Sequence, residues 1–130
     1  MAVFIGTTAS EVISAGAEND TITGAGLGLD TIFGGGGADT ITDLGVGNII
    51  YGDLYADLTE HGDGGADTIS AGLNNYVDGG SGSDIITSLG SSTLIGGLGN
   101  DTLSSTAGNS SLSGGDGADF MDGGTGNDTL

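Results

Sequence analysis

The sequence predicts an all-β fold, a right-handed parallel β-roll in which short strands wind into a flattened β-solenoid. Three observations predict it. The chain has 30 Gly and no Pro in 130 residues, it carries 18 acidic residues and no Lys or Arg, and it repeats every nine residues. Residues 34–42 show the frame: small, Gly, any, Gly, any, Asp, any, apolar, any. A fixed short period is the sequence signature of a solenoid.

The repeat occupies nearly the whole chain. About fourteen copies fill residues 6–130, which predicts one domain, residues 1–130. We expect an apolar N-terminal strand at 1–5, less regular repeats at 6–70 and regular double repeats of 17–18 residues at 71–130. The acidic or amide position of the frame recurs at Glu11, Asp20, Asp30, Asp39, Asn48, Asp57, Asp67, Asp84, Asp101, Asp119 and Asp128.

Each copy predicts a turn followed by a short strand. Six residues rich in Gly, Asn and Asp favour positive φ and form the turn. The next three residues form a strand whose central apolar side chain faces inward. Nine residues therefore make half a coil, and the apolar residues stack as a thin core between two parallel sheets. These residues are Ile22, Ile32, Ile41, Ile50, Ile69, Ile86, Leu103 and Met121.

Composition excludes several classes of function. Binding to nucleic acid needs basic side chains to neutralise phosphates, and the chain has none. Without Cys there is no disulfide and no thiolate metal site. No apolar run is long enough to predict membrane insertion. We find no catalytic constellation and expect no enzymatic activity. Every carboxylate lacks a basic side chain to pair with, so a folded form must leave it in water or neutralise it with metal.

Three tandem segments, residues 79–87, 96–104 and 114–122, resemble the calcium-binding nonapeptide of the repeats-in-toxin (RTX) family, and residues 123–130 are a further copy. The resemblance implies that calcium lies between turns on the same edge, two repeats apart. Its ligands would be the Asp carboxylates of both turns, with carbonyl oxygens from positions two and four of one turn and one and three of the next. Hard oxygen ligands of this kind suit calcium.

Matched to this sequence, the resemblance implies three calcium sites on one edge. The first site comprises Asp67 and Asp84, with the carbonyls of Asp63, Gly65, Gly79 and Ser81. The second comprises Asp84 and Asp101, with the carbonyls of Gly80, Gly82, Gly96 and Leu98. The third comprises Asp101 and Asp119, with the carbonyls of Gly97, Gly99, Gly114 and Asp116.

The rest of the frame is less regular. The opposite edge has Asn74-Asn75, Ser91-Ser92 and Asn109-Ser110 where the family has Asp, so we expect no calcium there. In the first half, further sites are predicted for four pairs: Asp30 with Asn48, Asn48 with Asp67, Asp20 with Asp39, and Asp39 with Asp57. The expected total is about three to seven calcium ions. His61 is interpreted as an inserted loop residue.

The resemblance implies a secreted protein that leaves the cell unfolded by type I secretion and folds on calcium outside, in the medium or at the cell surface. We expect the last turns, at Asp119 and Asp128, to be half-sites that await a partner turn, with no C-terminal cap. We therefore predict a structural protein that associates head to tail. One alternative is a calcium-triggered module of a larger toxin, adhesin or hydrolase. A minor alternative is an ice-binding solenoid, which the irregular third turn position disfavours.

Overall fold

A computed structural model of the chain describes residues 1–24, 28–53 and 64–130. These residues form strands and turns. The strands are β1 Val3–Ile5, β2 Val12–Ser14, β3 Thr21–Thr23, β4 Thr31–Gly35, β5 Thr40–Val46, β6 Ile49–Asp53, β7 Thr68–Leu73, β8 Tyr76–Ser81, β9 Ile85–Gly90, β10 Thr93–Leu98, β11 Thr102–Ser105, β12 Ser111–Asp116 and β13 Phe120–Asp122. Within the described ranges, no helix has the length and hydropathy needed to cross a bilayer.

The strands alternate between two parallel sheets. The first sheet has the order β1-β3-β5-β7-β9-β11-β13, and the second has the order β2-β4-β6-β8-β10-β12. Each strand therefore pairs with the strand two places later in the chain, which is the topology of a solenoid. The structure confirms an all-β parallel β-solenoid with two sheets, and it has about six turns.

The core is a double row of apolar side chains, to which each strand from β2 to β12 contributes at least one buried aliphatic residue. Ile41 of β5 is in register with Ile22 and Ile69 in the first sheet, and Ile50 of β6 is in register with Ile32 in the second. All five side chains have no exposed surface. Burying such a side chain contributes about 1.5–3 kcal/mol. The predicted inward row forms this core, with Met121 only partly buried at one end.

Strands β1 to β3 and β13 have the three residues predicted, but the others are longer. Strands β4 to β12 have four to seven residues, and β7 to β10 have six each. The first glycines of the predicted turn belong to this extension: Gly97 of β10 is in register with Gly80 and Gly115. The predicted strand length was wrong for these strands. Glycine permits turns, but it also pairs in a parallel ladder when the residues beside it in the two adjacent strands are glycine as well.

One irregularity lies between β6 and β7. Residues that occupy equivalent places in successive coils are mostly 17 to 19 apart, as Asp67 and Asp84 are. Across this point the separations are 28 residues from Asp39 to Asp67 and 27 from Asn48 to Asn75. The nine-residue repeat therefore does not hold between β6 and β7. Counting in nines across this point placed residues before it and residues after it on the same edge of the solenoid when they lie on opposite edges.

Candidate metal centre

The turns that lead from the second sheet to the first form what we call the aspartate edge. Each of its turns ends in an Asp immediately before a strand of the first sheet. These residues are Asp20, Asp39, Asp67, Asp84, Asp101 and Asp119. The opposite turns, from the first sheet to the second, form what we call the mixed edge. The corresponding residues there are Glu11, Asp30, Asn48, Asn75, Ser92, Ser110 and Asp128.

A ladder of hydrogen bonds connects the carboxylates of the aspartate edge. The backbone N–H of Asp67 donates to Oδ1 of Asp84 at 2.8 Å, and that of Asp84 donates to Oδ1 of Asp101 at 2.8 Å. The same bond joins Asp39 to Asp67 at 2.8 Å and Asp101 to Asp119 at 2.9 Å. One oxygen of each carboxylate is thus occupied by the preceding coil.

The other oxygen has no donor. Oδ2 of Asp39, Asp67, Asp84 and Asp101 is buried without a hydrogen-bond partner, and each of these residues is at most 2% exposed. A buried ionised carboxylate with an unpaired oxygen carries a desolvation penalty of several kcal/mol. The described chain has no basic side chain to offset it. A row of cations could bind these unpaired oxygens, because one such oxygen recurs in each successive coil.

Glycine holds open the space beside these oxygens. In every second-sheet strand of five or six residues, the fourth residue occupies an inward-facing position and is glycine. These residues are Gly34, Gly52, Gly79, Gly96 and Gly114. A Cβ on Gly79 would lie closer than a real Cβ approaches to both Asp84 Oδ2 and the carbonyl oxygen of Gly96. The space therefore has a carboxylate oxygen from one turn and a carbonyl oxygen from the next.

The turn backbone also requires glycine. Gly97 and Gly99, the second and fourth residues of their repeat, have φ of 112° and 132°. Residues with a Cβ rarely adopt such values. Among the described residues, no group of three or more His, Cys, Asp or Glu side chains could hold a metal by itself. An ion here must take backbone carbonyls as ligands in addition to two carboxylates, so the turn conformation is part of the site.

Burial opposes ionisation along this edge. Desolvation raises the pKa of Asp39 to about 6, that of Asp84 to about 7 and that of Asp67 to about 8, and neighbouring carboxylates add to each shift. Burial likewise raises the pKa of Asp101. Hydrogen bonds from the preceding backbone act in the opposite direction and are outweighed. A divalent cation would reverse this balance, because it favours the charged carboxylate.

Comparison with known proteins agrees with this geometry. The model of the RTX calcium-binding nonapeptide repeat (4 copies) matches residues 5–41, 61–92 and 93–130, which is more than half of the chain. The chain belongs to the RTX calcium-binding nonapeptide repeat family. Neither a curated protein nor a solved structure matches it. The resemblance predicted from the tandem nonapeptides is confirmed. Residues 42–60, which include the irregular separation, lie outside the matched ranges.

The mixed edge of this RTX chain satisfies its own polar groups in its later turns, whereas Asp30 Oδ2, Asp43 Oδ2 and Asn48 Nδ2 are buried there without a partner. Its fourth strand residues are Asp43, Ala71, Ser88 and Ser105 in place of glycine. Ser88 Oγ donates to Ser92 Oγ at 2.7 Å, and the hydroxyls of Ser105 and Ser110 are 2.8 Å apart. A hydroxyl thus fills the space that is left open on the aspartate edge.

The structure brings together the predicted pairs Asp67 with Asp84, Asp84 with Asp101, and Asp101 with Asp119. The predicted carbonyl donors of these sites lie in the same turns, except that Asp63 is outside the described residues. Among them, Leu98 already accepts a hydrogen bond from Gly82 N–H and Asp116 accepts one from Gly99 N–H, both at 2.8 Å. A carbonyl oxygen has a second lone pair, so each remains a candidate ligand.

The predicted pairs of the first half fare differently. Asp30 and Asn48 are neighbours, since Asp30 N–H donates to Asn48 Oδ1 at 2.9 Å. The pairing of Asn48 with Asp67 was wrong: Asn48 N–H donates to Asn75, and Asp67 lies on the other edge. The residues between β6 and β7 change the count, so Asp67 follows Asp39. Asp57, the predicted partner of Asp39, and His61 lie outside the described residues.

The two ends of the rows differ from the middle. Asp20 neighbours Asp39, but both its oxygens have donors: Oδ1 accepts Ala2 N–H at 2.5 Å and Oδ2 accepts Gly16 N–H at 3.2 Å. The hydrogen bond from Ala2 lowers the pKa of Asp20. Asp128 lies on the mixed edge, where its Oδ1 accepts Ser110 N–H at 2.8 Å.

Asp43 and Asp53, which were not predicted as site residues, each have a buried carboxylate oxygen without a hydrogen-bond partner. Asp43 has no exposed surface, and Asp53 Oδ2 accepts Ser81 N–H at 2.6 Å while its Oδ1 is unpaired. Burial, together with the charge of Asp78, raises the pKa of Asp53. Strand alternation from Ile41 was the available signal for Asp43, which lies two residues later and therefore faces inward. The available signal for Asp53 was its position directly after Gly52, where the other repeats have a second glycine.

Proposed function

We propose that the aspartate edge binds a row of calcium ions and that the chain folds when it binds them. The observation that supports this proposal most directly is the set of unpaired, buried Oδ2 atoms at successive Asp residues. Each faces a glycine-lined space with a carbonyl oxygen of the next turn. Calcium takes six to eight oxygen ligands from carboxylates and carbonyls, and it supplies the positive charge that this chain lacks.

Three sites are proposed with the ligands that the family pattern implies, between Asp67 and Asp84, between Asp84 and Asp101, and between Asp101 and Asp119. The ladder also supports a fourth site between Asp39 and Asp67, because these residues are joined in the same way. In each site one turn contributes a carboxylate oxygen with no other partner. The backbone turns orient the carbonyls, and the strand ladders of both sheets hold successive turns in register.

Metal binding and folding are coupled in this proposal. The chain carries a formal charge of -18 with no Lys or Arg, and self-repulsion keeps such a chain expanded. Folding without metal would bury carboxylates side by side. The binding free energy of the ions is therefore part of the folding free energy. We further propose that the protein acts outside the cell after export by type I secretion, where calcium is abundant enough to fold it.

We also propose that folded protomers associate end to end. Support comes from the terminal coils, where strands β1 and β2 at one end and β13 at the other have an unpaired side. Beside β1 and β2 lies an open depression lined by Val3 to Ile5 and Glu11 to Ser14. Val3, Val12 and Phe120 are each more than half exposed. Open strand edges of this kind add further strands, here those of a second copy.

A calcium titration followed by circular dichroism and light scattering tests both proposals. The far-ultraviolet spectrum is expected to change from disordered to β as calcium replaces chelator, with magnesium at the same ionic strength as control. A chain already folded in excess chelator above about pH 8, where the buried carboxylates would be ionised, would contradict the coupling. Particle size is expected to grow with protein concentration in calcium alone, and a monodisperse monomer there would contradict end-to-end association. Covalent attachment to a larger toxin, adhesin or hydrolase is the alternative that a stable monomer would favour.

A further inference from the structure

The mixed edge contains one acid at a position where this family has glycine. Asp43 is the fourth residue of β5 and is in register with Ala71 of β7. Strand alternation directs its side chain inward, and it has no exposed surface. The later strands of the same sheet have Ser88 and Ser105 at this position, each of which bonds to a hydroxyl of its own turn.

The carboxylate of Asp43 lies in the space between two turns. A Cβ on Gly24, one coil earlier, would collide with Oδ2 of Asp43, so that oxygen occupies the glycine-lined space. Asp30 ends the same earlier turn as Gly24, and burial together with the charge of Asp30 raises the pKa of Asp43. Both carboxylates are thus buried at the same turn of the edge rather than in solvent.

Each of the two carboxylates has one satisfied and one unsatisfied oxygen. Asp30 Oδ1 accepts Glu11 N–H at 2.9 Å, and Asp43 Oδ1 accepts Gly45 N–H at 2.9 Å. Oδ2 of both residues is buried without a hydrogen-bond partner, and the residues are 2% and 0% exposed. Two adjacent buried carboxylates cannot both be ionised without a positive charge between or beside them.

The later turns of the mixed edge satisfy their buried polar atoms with serine hydroxyls and need no cation. Ser88 and Ser92 form a neutral pair at the equivalent place, in which one hydroxyl donates to the other. Asp30 and Asp43 have no donor between them when ionised, and Asn48, which follows in the same row, has a buried Nδ2 without a partner. The chemistry of the pair is that of a hard-cation site, in contrast to the self-satisfied turns beyond it.

We propose that Asp30 and Asp43 together bind a calcium ion on the mixed edge, with Asp43 acting as a strand-borne ligand that the nonapeptide pattern does not contain. The inference rests on the proposed function in one respect, that the chain folds with calcium. It differs in place and in ligand: residues 42–60 lie outside the ranges matched by the family model, and the family pattern has glycine where Asp43 stands.

Counting ions in the full chain tests this inference. Wild type, Asp43→Asn, Asp30→Asn and the double variant are dialysed against saturating calcium, and bound calcium per chain is measured by plasma emission, with circular dichroism to verify folding. Each single variant is expected to bind one ion fewer than wild type. The double variant is expected to lose the same single ion, because both side chains serve one site. Asp43→Ser, which installs the side chain found at positions 88 and 105, is the second variant if the amide does not fold.

The outcomes separate this site from the row on the aspartate edge. An unchanged ion count in Asp43→Asn or Asp43→Ser, while Asp84→Asn loses ions, overturns this inference alone and indicates a carboxyl pair that shares a proton. A double variant that loses two ions also overturns it, because the residues would then serve separate sites. Wild type that binds no calcium overturns the inference and the proposed function together.

Discussion

The two edges of the solenoid have the same backbone ladder and different chemistry. On both edges, most residues that precede a strand accept a backbone N–H from the preceding coil through one side-chain oxygen, as Asp84 and Asn75 do. They differ in the second polar atom and in the fourth strand residue. Gly96 leaves a space beside an unpaired carboxylate oxygen, whereas Ser88 fills that space with a hydroxyl. Two positions per turn therefore decide whether an edge needs a cation or satisfies itself.

The largest effect on the stability of the folded chain is expected from a change of pH in the absence of calcium. The pKa of Asp67 rises to about 8 and that of Asp84 to about 7 in the folded chain, from 3.8 for an unperturbed Asp. The folded state then holds protons that the unfolded state releases, so stability falls as pH rises from about 4 towards about 8. Thermal melting in chelator should show a folded chain near the lower pH and an unfolded one near the upper. Because calcium competes with these protons, saturating calcium should reverse the trend, and equal melting at both pH values in chelator would contradict the assignment.

The next largest effect is expected from Asp84→Asn. Asparagine keeps the Oδ1 acceptor for Asp67 N–H but removes the charge shared by two proposed sites. The calcium concentration at the folding midpoint should rise by at least about tenfold, since losing even a supporting group of a metal site costs that much. Ser92→Ala is the matched control, because Ser92 occupies the same place on the mixed edge. A control that shifts the midpoint equally would show that the edges do not differ.

Exchanging the fourth strand residue tests the other half of the comparison. Gly96→Ser inserts a side chain beside Asp101 Oδ2 and should weaken calcium binding at that site, measured by isothermal titration. Ser88→Gly removes the hydroxyl that contacts Ser92 Oγ and the Gly72 carbonyl oxygen and that accepts Gly90 N–H. It should cost about 1–3 kcal/mol of unfolding free energy in saturating calcium and leave the ion count unchanged. Both variants behaving alike would refute the role assigned to the glycine.

The smallest effect is expected from Ser105→Ala. It removes the hydroxyl pair with Ser110, 2.8 Å apart, and leaves the aspartate edge intact. Denaturant unfolding in calcium should show a loss of about 0.5–1.5 kcal/mol, the usual net value of one hydrogen bond. The folding midpoint for calcium should stay at its wild-type value. A shift in that midpoint would show that the two edges are coupled more closely than the separate ladders indicate.

Much of the architecture was predictable from the repeat. The apolar row, the alternation of two parallel sheets and the order Asp67, Asp84, Asp101, Asp119 all follow from phase in a regular region. Strand length was not predictable, because glycine in the frame is compatible with a turn and with a ladder. The pairing of Asn48 with Asp67 failed for a different reason. Successive nine-residue repeats alternate between the two edges. Extra residues between two strands shift this alternation, so every later residue is assigned to the opposite edge.

The sequence by itself determined that this chain is a solenoid of calcium-binding repeats with a carboxylate in nearly every aspartate-edge turn, since these depend only on local composition and period. The tertiary structure decided which side chains meet, because neighbours in a solenoid are set by the length of the whole coil between them. It placed Asp67 after Asp39, left Oδ2 of Asp39, Asp67, Asp84 and Asp101 without a donor, and put Asp43 Oδ2 beside Gly24, in the turn that Asp30 ends. Desolvation acts on carboxylates only once coils are stacked, and so the need for a cation at each place is a property of the assembled edge.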